Sequence, residues 1–133
     1  MAYTTALVLF GLLTLLMLGL EIMITYATQG FGFGFSANRS TKVERPAFAL
    51  RIQRAYQNQV ESAAYIVPVL AVAAFVGLES GSAELAALLV VIGRAAFAVL
   101  YYTGIPFIRV PAFVLGTLST FYIAYVLLMS GLA

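Results

Sequence analysis

The chain contains no cysteine and no histidine. Disulfides, thiolate nucleophiles and redox pairs are therefore excluded, and a zinc or haem site lacks its usual ligands, so no metal site is expected. Charge is scarce too. Only 9% of the residues are charged, against about 25% in a soluble domain, which argues against most cytosolic enzymes and against disordered tails. Seven Lys and Arg against five Glu leave a net charge of +2. That is too little for the basic face that binding a phosphate backbone demands, so nucleic acid is not an expected partner. What fills the chain is apolar: 63% of the residues are hydrophobic, and the mean hydropathy is +1.03. In 133 residues there is room for one domain, and this composition makes it an integral membrane domain. Its chemistry must come from Arg, Tyr, Ser, Thr, Asn or Glu, or from a group that the substrate brings.

A helix needs about 20 mostly apolar residues to cross the bilayer, and four stretches qualify. The first runs from about 5 to 27 and is interrupted only by Glu21. It lacks the basic flank and small-residue cleavage site of a signal peptide, so it is expected to be retained. The second, about 47–78, joins a polar but helix-compatible segment, Ala47 to Ser62, to an apolar run. The third, about 83–103, contains Arg94, and the fourth covers about 107–132. The expected fold is a single all-α domain, a bundle of four transmembrane helices, in contact with membrane lipid.

Between the first two spans, Thr28 to Pro46 reads as the one long loop, because alternating Gly30, Gly32, Gly34 and Phe31, Phe33, Phe35 hold a helix poorly. The other connections are short. Ser82 is a candidate cap for the third helix, with Glu84 well placed near its positive end. Five of the seven basic residues lie from Arg39 to Arg54, and Arg109 follows the third loop, whereas the second loop carries Glu79 and Glu84. The positive-inside rule then puts the long loop and the third loop on the cytoplasmic side.

Charges at membrane depth cost roughly 2.5 to 3.5 kcal/mol even on lenient scales, so each is a candidate site residue. Arg51, Arg54, Asn58 and Glu61 recur at spacings of three, four and three, along one helical face. Either they form intrahelical pairs on a solvated stalk, or a guanidinium, a carboxamide and a carboxylate together receive a ligand bearing both amine and carboxylate. Arg94 and Tyr101 share a face of the third span. The partner of Arg94 is Glu61 or another oxygen on a neighbouring helix, in a structural or a functional role, and Tyr101 and Tyr102 are either interfacial belt residues or part of a site. Arg109 is a snorkelling anchor or a cation placed to stabilise an anion. Glu21 pairs an arginine of the second span or faces the same cavity.

The run Arg51-Ile52-Gln53-Arg54-Ala55-Tyr56-Gln57-Asn58-Gln59-Val60-Glu61, followed by Pro68, resembles the signature of the MAPEG family, membrane-associated proteins in eicosanoid and glutathione metabolism. Its core stands as Arg54, Ala55, Asn58 and Glu61. Gly93-Arg94, Tyr101 and Arg109 resemble the family's third-span face and its thiolate-contacting arginine. The likeness extends to the microsomal glutathione transferases of that family.

The resemblance implies a homotrimer of four-helix protomers with glutathione, as cosubstrate, bound between protomers at the cytoplasmic side. Arg54, Asn58 and Glu61 would hold the peptide, Arg51 would share their face, and Arg39 would contact a carboxylate. Arg94 and Tyr101 would line the pocket. Arg109 would stabilise the thiolate for attack on a lipophilic electrophile, with Tyr101 as a second catalytic candidate. The implied activity is a glutathione transferase or peroxidase. The rival is a non-enzymatic lipid-binding or accessory subunit of a larger membrane complex, motivated by Phe97 on the third-span face and by the few polar residues beyond the motif. A trimer is also expected because a lone protomer would present Arg94 and Glu61 to lipid or to a pocket that four short helices barely enclose.

Overall fold

A computed structural model describes residues 1–35 and 45–131. Four helices follow one another: α1 (Tyr3–Phe35), α2 (Ala47–Val76), α3 (Gly81–Thr103) and α4 (Arg109–Met129). Each is long and apolar enough to cross a bilayer. Arg39 and the last residue of the expected fourth span, 132, lie outside the described residues.

Two local expectations are corrected. Helical backbone does not stop at Thr28 but continues to Phe35, interrupted at Gly30 (φ 83°, ψ 164°). Glycine alone adopts that geometry without strain, so the Gly-Phe alternation produces a kink where a loop was expected. The cap of α3 is Ser80 rather than Ser82: the Ala83 amide donates to Ser80 Oγ at 3.2 Å, and Glu84 does sit in the first turn.

The helices pair as α1 with α2 and α3 with α4, and α2 also touches both α3 and α4. Small residues make the closest approaches. A Cβ on Gly93 would come within 2.9 Å of the Gly116 backbone nitrogen and 3.0 Å of the Ala112 carbonyl, so α3 and α4 meet backbone to backbone there. Two apolar clusters form the core. The larger gathers residues such as Phe10, Ile66, Leu70, Val90 and Ile123, and the smaller centres on Met17, Ala55 and Ala98. Large apolar side chains such as Leu15, Leu16, Phe75 and Phe121 face outward, as expected where the solvent is lipid. The core is not apolar throughout, however, since Gln59, Ser62, Arg94 and Thr120 are also buried.

Candidate functional site

The motif face of α2 is divided by the fold. Arg54 and Glu61 are exposed, while Asn58 is half-buried. Neither charge makes a hydrogen bond or ion pair among the described residues, so the intrahelical pairs that the spacing allowed are not formed. Arg51 turns elsewhere: its Nε donates to the Tyr102 carbonyl at 3.1 Å, tying α2 to the C-terminal turn of α3. A cation beside those unpaired carbonyls is favourable.

Arg94 is 1% exposed, inside the bundle rather than on its surface. Its acceptors are two neutral carboxamides, not Glu61. Nε donates to Gln59 Oε1 at 2.9 Å and Nη2 to Asn58 Oδ1 at 2.8 Å. The guanidinium carbon also lies 4.7 Å from the centre of the Phe97 ring. Such contacts with ring faces offset part of the cost of a desolvated cation, while Nη1 has no partner among the described residues. The layer continues to other helices. Gln59 Nε2 donates to Thr14 Oγ1 of α1 at 3.0 Å, and the Tyr65 hydroxyl lies 3.3 Å from Ser62 Oγ and 3.2 Å from Thr117 Oγ1 of α4.

The second half of the expected site is at the α3–α4 turn. Arg109, the first residue of α4, is partly buried and holds its guanidinium 4.4 Å from the Tyr101 ring centre. Phe97 meets Tyr101 edge-on at 5.4 Å between centroids. The shared face read for Arg94, Phe97 and Tyr101 is thus a continuous row of contacts, and Arg109 closes its end.

Glu21 lies across from the motif. It lines an open groove of about 490 Å³ with Gln53, Tyr56, Gln57, Val60 and Glu61. It accepts a hydrogen bond from Thr25 at 3.1 Å, and Thr25 in turn accepts one from Arg45 at 3.2 Å. Glu21 thus shares a groove with Glu61 and pairs no arginine of α2 among the described residues. A larger, almost wholly apolar groove of about 570 Å³ runs between α3 and α4, lined by residues including Leu85, Leu89, Val114 and Leu118.

The expected site residues therefore come together in two contacts, Asn58 with Arg94 and Tyr101 with Arg109. A model of the MAPEG family matches residues 3–129. The chain belongs to the MAPEG family. No curated protein and no solved structure matches it. Family membership and four apolar helices together make this MAPEG protein a multi-pass integral membrane protein associated with lipid.

Several members of the polar layer were not singled out from the sequence of this MAPEG protein: Thr14, Gln59, Ser62, Tyr65 and Thr117. Gln59 carried a signal, because a carboxamide next to Asn58 on a helix entering the membrane needs a buried partner. Thr14 carried none, since a lone threonine in an apolar span satisfies itself on its own helix, as Thr14 also does through the Phe10 carbonyl at 2.9 Å.

Proposed function

We propose that this protein is a microsomal glutathione transferase-like enzyme, a transferase or peroxidase in which bound glutathione, as its thiolate, attacks a lipophilic electrophile. The observation that carries the proposal is the pair Arg54 and Glu61, opposite charges left exposed and, among the described residues, without protein partners on one face of α2. Seven residues of helix rise about 10.5 Å, and an extended tripeptide spans roughly 10 to 11 Å. Glutathione carries an ammonium and carboxylates at that separation, so one end suits Glu61 and the other Arg54, with Asn58 between them. An ordinary thiol titrates near 8.5, and a cation in a sheltered site lowers that enough to make thiolate abundant at neutral pH. Arg109 has the required charge, and the membrane delivers the apolar electrophile. A protein without cysteine or histidine can run this reaction because the nucleophile belongs to the cosubstrate.

The site is proposed to be completed between protomers of a homotrimer and to open on the cytoplasmic side. Arg94 is buried within the protomer and needs no neighbour to shield it. Support for a trimer comes instead from Arg54, Glu61 and the groove of Glu21, which are open on the protomer surface. Arg39 is proposed as a further carboxylate contact. The rival reading, a non-enzymatic lipid-binding or accessory subunit, draws on the apolar α3–α4 groove, which suits an acyl chain.

Purified protein in mild detergent should conjugate glutathione to an aromatic halide and bind glutathione, and native mass measurement should give three copies. Arg54→Ala and Glu61→Gln should each weaken glutathione binding by tenfold or more, on the order of the loss of one charged contact. Lipid retention with neither glutathione binding nor turnover would transfer the proposal to the rival.

A further inference from the structure

Hydrogen bonds through α1, α2 and α3 form one chain whose direction is set by chemistry. Thr14 donates to the Phe10 carbonyl, Gln59 Nε2 donates to Thr14 Oγ1, and Arg94 donates from Nε to Gln59 Oε1 and from Nη2 to Asn58 Oδ1. Arginine has donors only. Each carboxamide must therefore turn its oxygen towards Arg94 and its NH2 away, since the flipped amide would set donor against donor in a buried layer. For Gln59 the outward NH2 is spent on Thr14. For Asn58 it is spent on nothing: Nδ2 has no hydrogen bond among the described residues, and it is not one of the polar atoms sealed from the surface without a partner. Ser62 Oγ also approaches the same Oδ1 at 3.5 Å, again as a donor.

We infer that Arg94 is a positioning residue, braced across the bundle by Gln59 and Thr14, that fixes Asn58 as a donor-only contact. Asn58 then recognises an acceptor oxygen on the ligand, a carboxylate or a peptide carbonyl, and discriminates against an ammonium at that point. This selects between the two ends that a free asparagine could offer. It also gives Arg94 a function without ligand contact, consistent with its burial. Thr14 matters because, without its oxygen, the buried NH2 of Gln59 is unpaired and the side chain gains by rotating away from Arg94. The inference rests on the glutathione reading above.

The test measures glutathione affinity, KM and kcat for glutathione, and thermal unfolding of the full chain in detergent, for wild type, Asn58→Asp, Thr14→Val and Thr14→Ser. Asn58→Asp keeps an acceptor for Arg94 but presents carboxylate oxygen where Asn58 presents N–H. Its unfolding midpoint should match or exceed that of wild type while glutathione affinity falls about tenfold to a hundredfold. Thr14→Val should raise the KM for glutathione roughly threefold to tenfold with kcat preserved at saturation, and Thr14→Ser should restore it. Folded Asn58→Asp that binds as wild type does overturns the donor-only assignment. A lowered midpoint in Thr14→Val with unchanged affinity overturns the bracing role and leaves Thr14 a packing residue. Wild type that binds no glutathione overturns the functional reading and this inference with it, an outcome told apart from the others by the wild-type measurement alone.

Discussion

Arg109 holds its guanidinium over the face of Tyr101, 4.4 Å from the ring centre, across the turn that joins α3 to α4. Phe97 contacts Tyr101 edge-on and also carries Arg94, 4.7 Å from its ring centre. Two cations thus bracket two rings. Stacking against a ring engages the flat face of a guanidinium and leaves its in-plane N–H donors for another partner, which an ammonium in the same place would not do.

Arg109→Ala should therefore raise the apparent pKa of bound glutathione and cut turnover while leaving affinity within about threefold, because the contact is strongest with the ionised sulfur. Arg109→Lys should retain part of the effect. The ultraviolet absorbance of the thiolate, titrated with glutathione, reads it directly. Equal thiolate formation in wild type and Arg109→Ala would move the role to the Tyr101 hydroxyl.

The polar layer predicts an order of stability. Gln59→Leu leaves the buried Arg94 cation short of an acceptor and should cost on the order of 3 kcal/mol or more, as breaking a buried charged contact from one side does. Arg94→Met removes the cation itself and leaves two neutral amides, which should cost less, about 1 to 2 kcal/mol. Chemical unfolding in detergent ranks the two variants, and the reverse ranking contradicts this account of the layer.

The α3–α4 contact should distinguish its two glycines. On Gly93 a methyl group meets backbone atoms at 2.9 and 3.0 Å, whereas on Gly116 its nearest neighbour is Arg94 Cδ at 3.4 Å, a side-chain atom that can move. Gly93→Ala should destabilise by roughly 1 to 3 kcal/mol through overpacking, and Gly116→Ala by less. Thermal midpoints of the two variants provide the comparison.

Topology can be read with unusual clarity because no native cysteine competes for reagent. Lys42→Cys should react with a membrane-impermeant maleimide from the cytoplasmic side and Glu79→Cys only from the other, as the distribution of basic residues requires. Labelling from the opposite sides would reverse the orientation.

Much was legible because lipid imposes simple rules. Four runs of apolar residues had to be helices, since only helices satisfy every backbone group within one segment in hydrocarbon. The motif at Arg54, Asn58 and Glu61 and the face of Arg94 and Tyr101 were equally plain in the linear order. The end of α1 was not. Glycine marks a place where the chain can bend, and whether it bends into a loop or a kink depends on what the following turns pack against.

The sequence by itself determined that this protein lives in a membrane as four helices, and that its few charges are candidates for function, because burying charge in lipid is too costly to be incidental. Only the tertiary structure decided which charges meet. Helical spacing puts Arg54, Asn58 and Glu61 on one face but says nothing about the helix opposite. Arg94 could have reached Glu61, and it reaches Asn58 and Gln59 instead, because α2 packs on α3 with its carboxamides, not its carboxylate, at the level of Arg94. That packing, a property of assembled helices and of no single segment, leaves Arg54 and Glu61 exposed and, among the described residues, unpartnered, and leaves the NH2 of Asn58 without a hydrogen bond there.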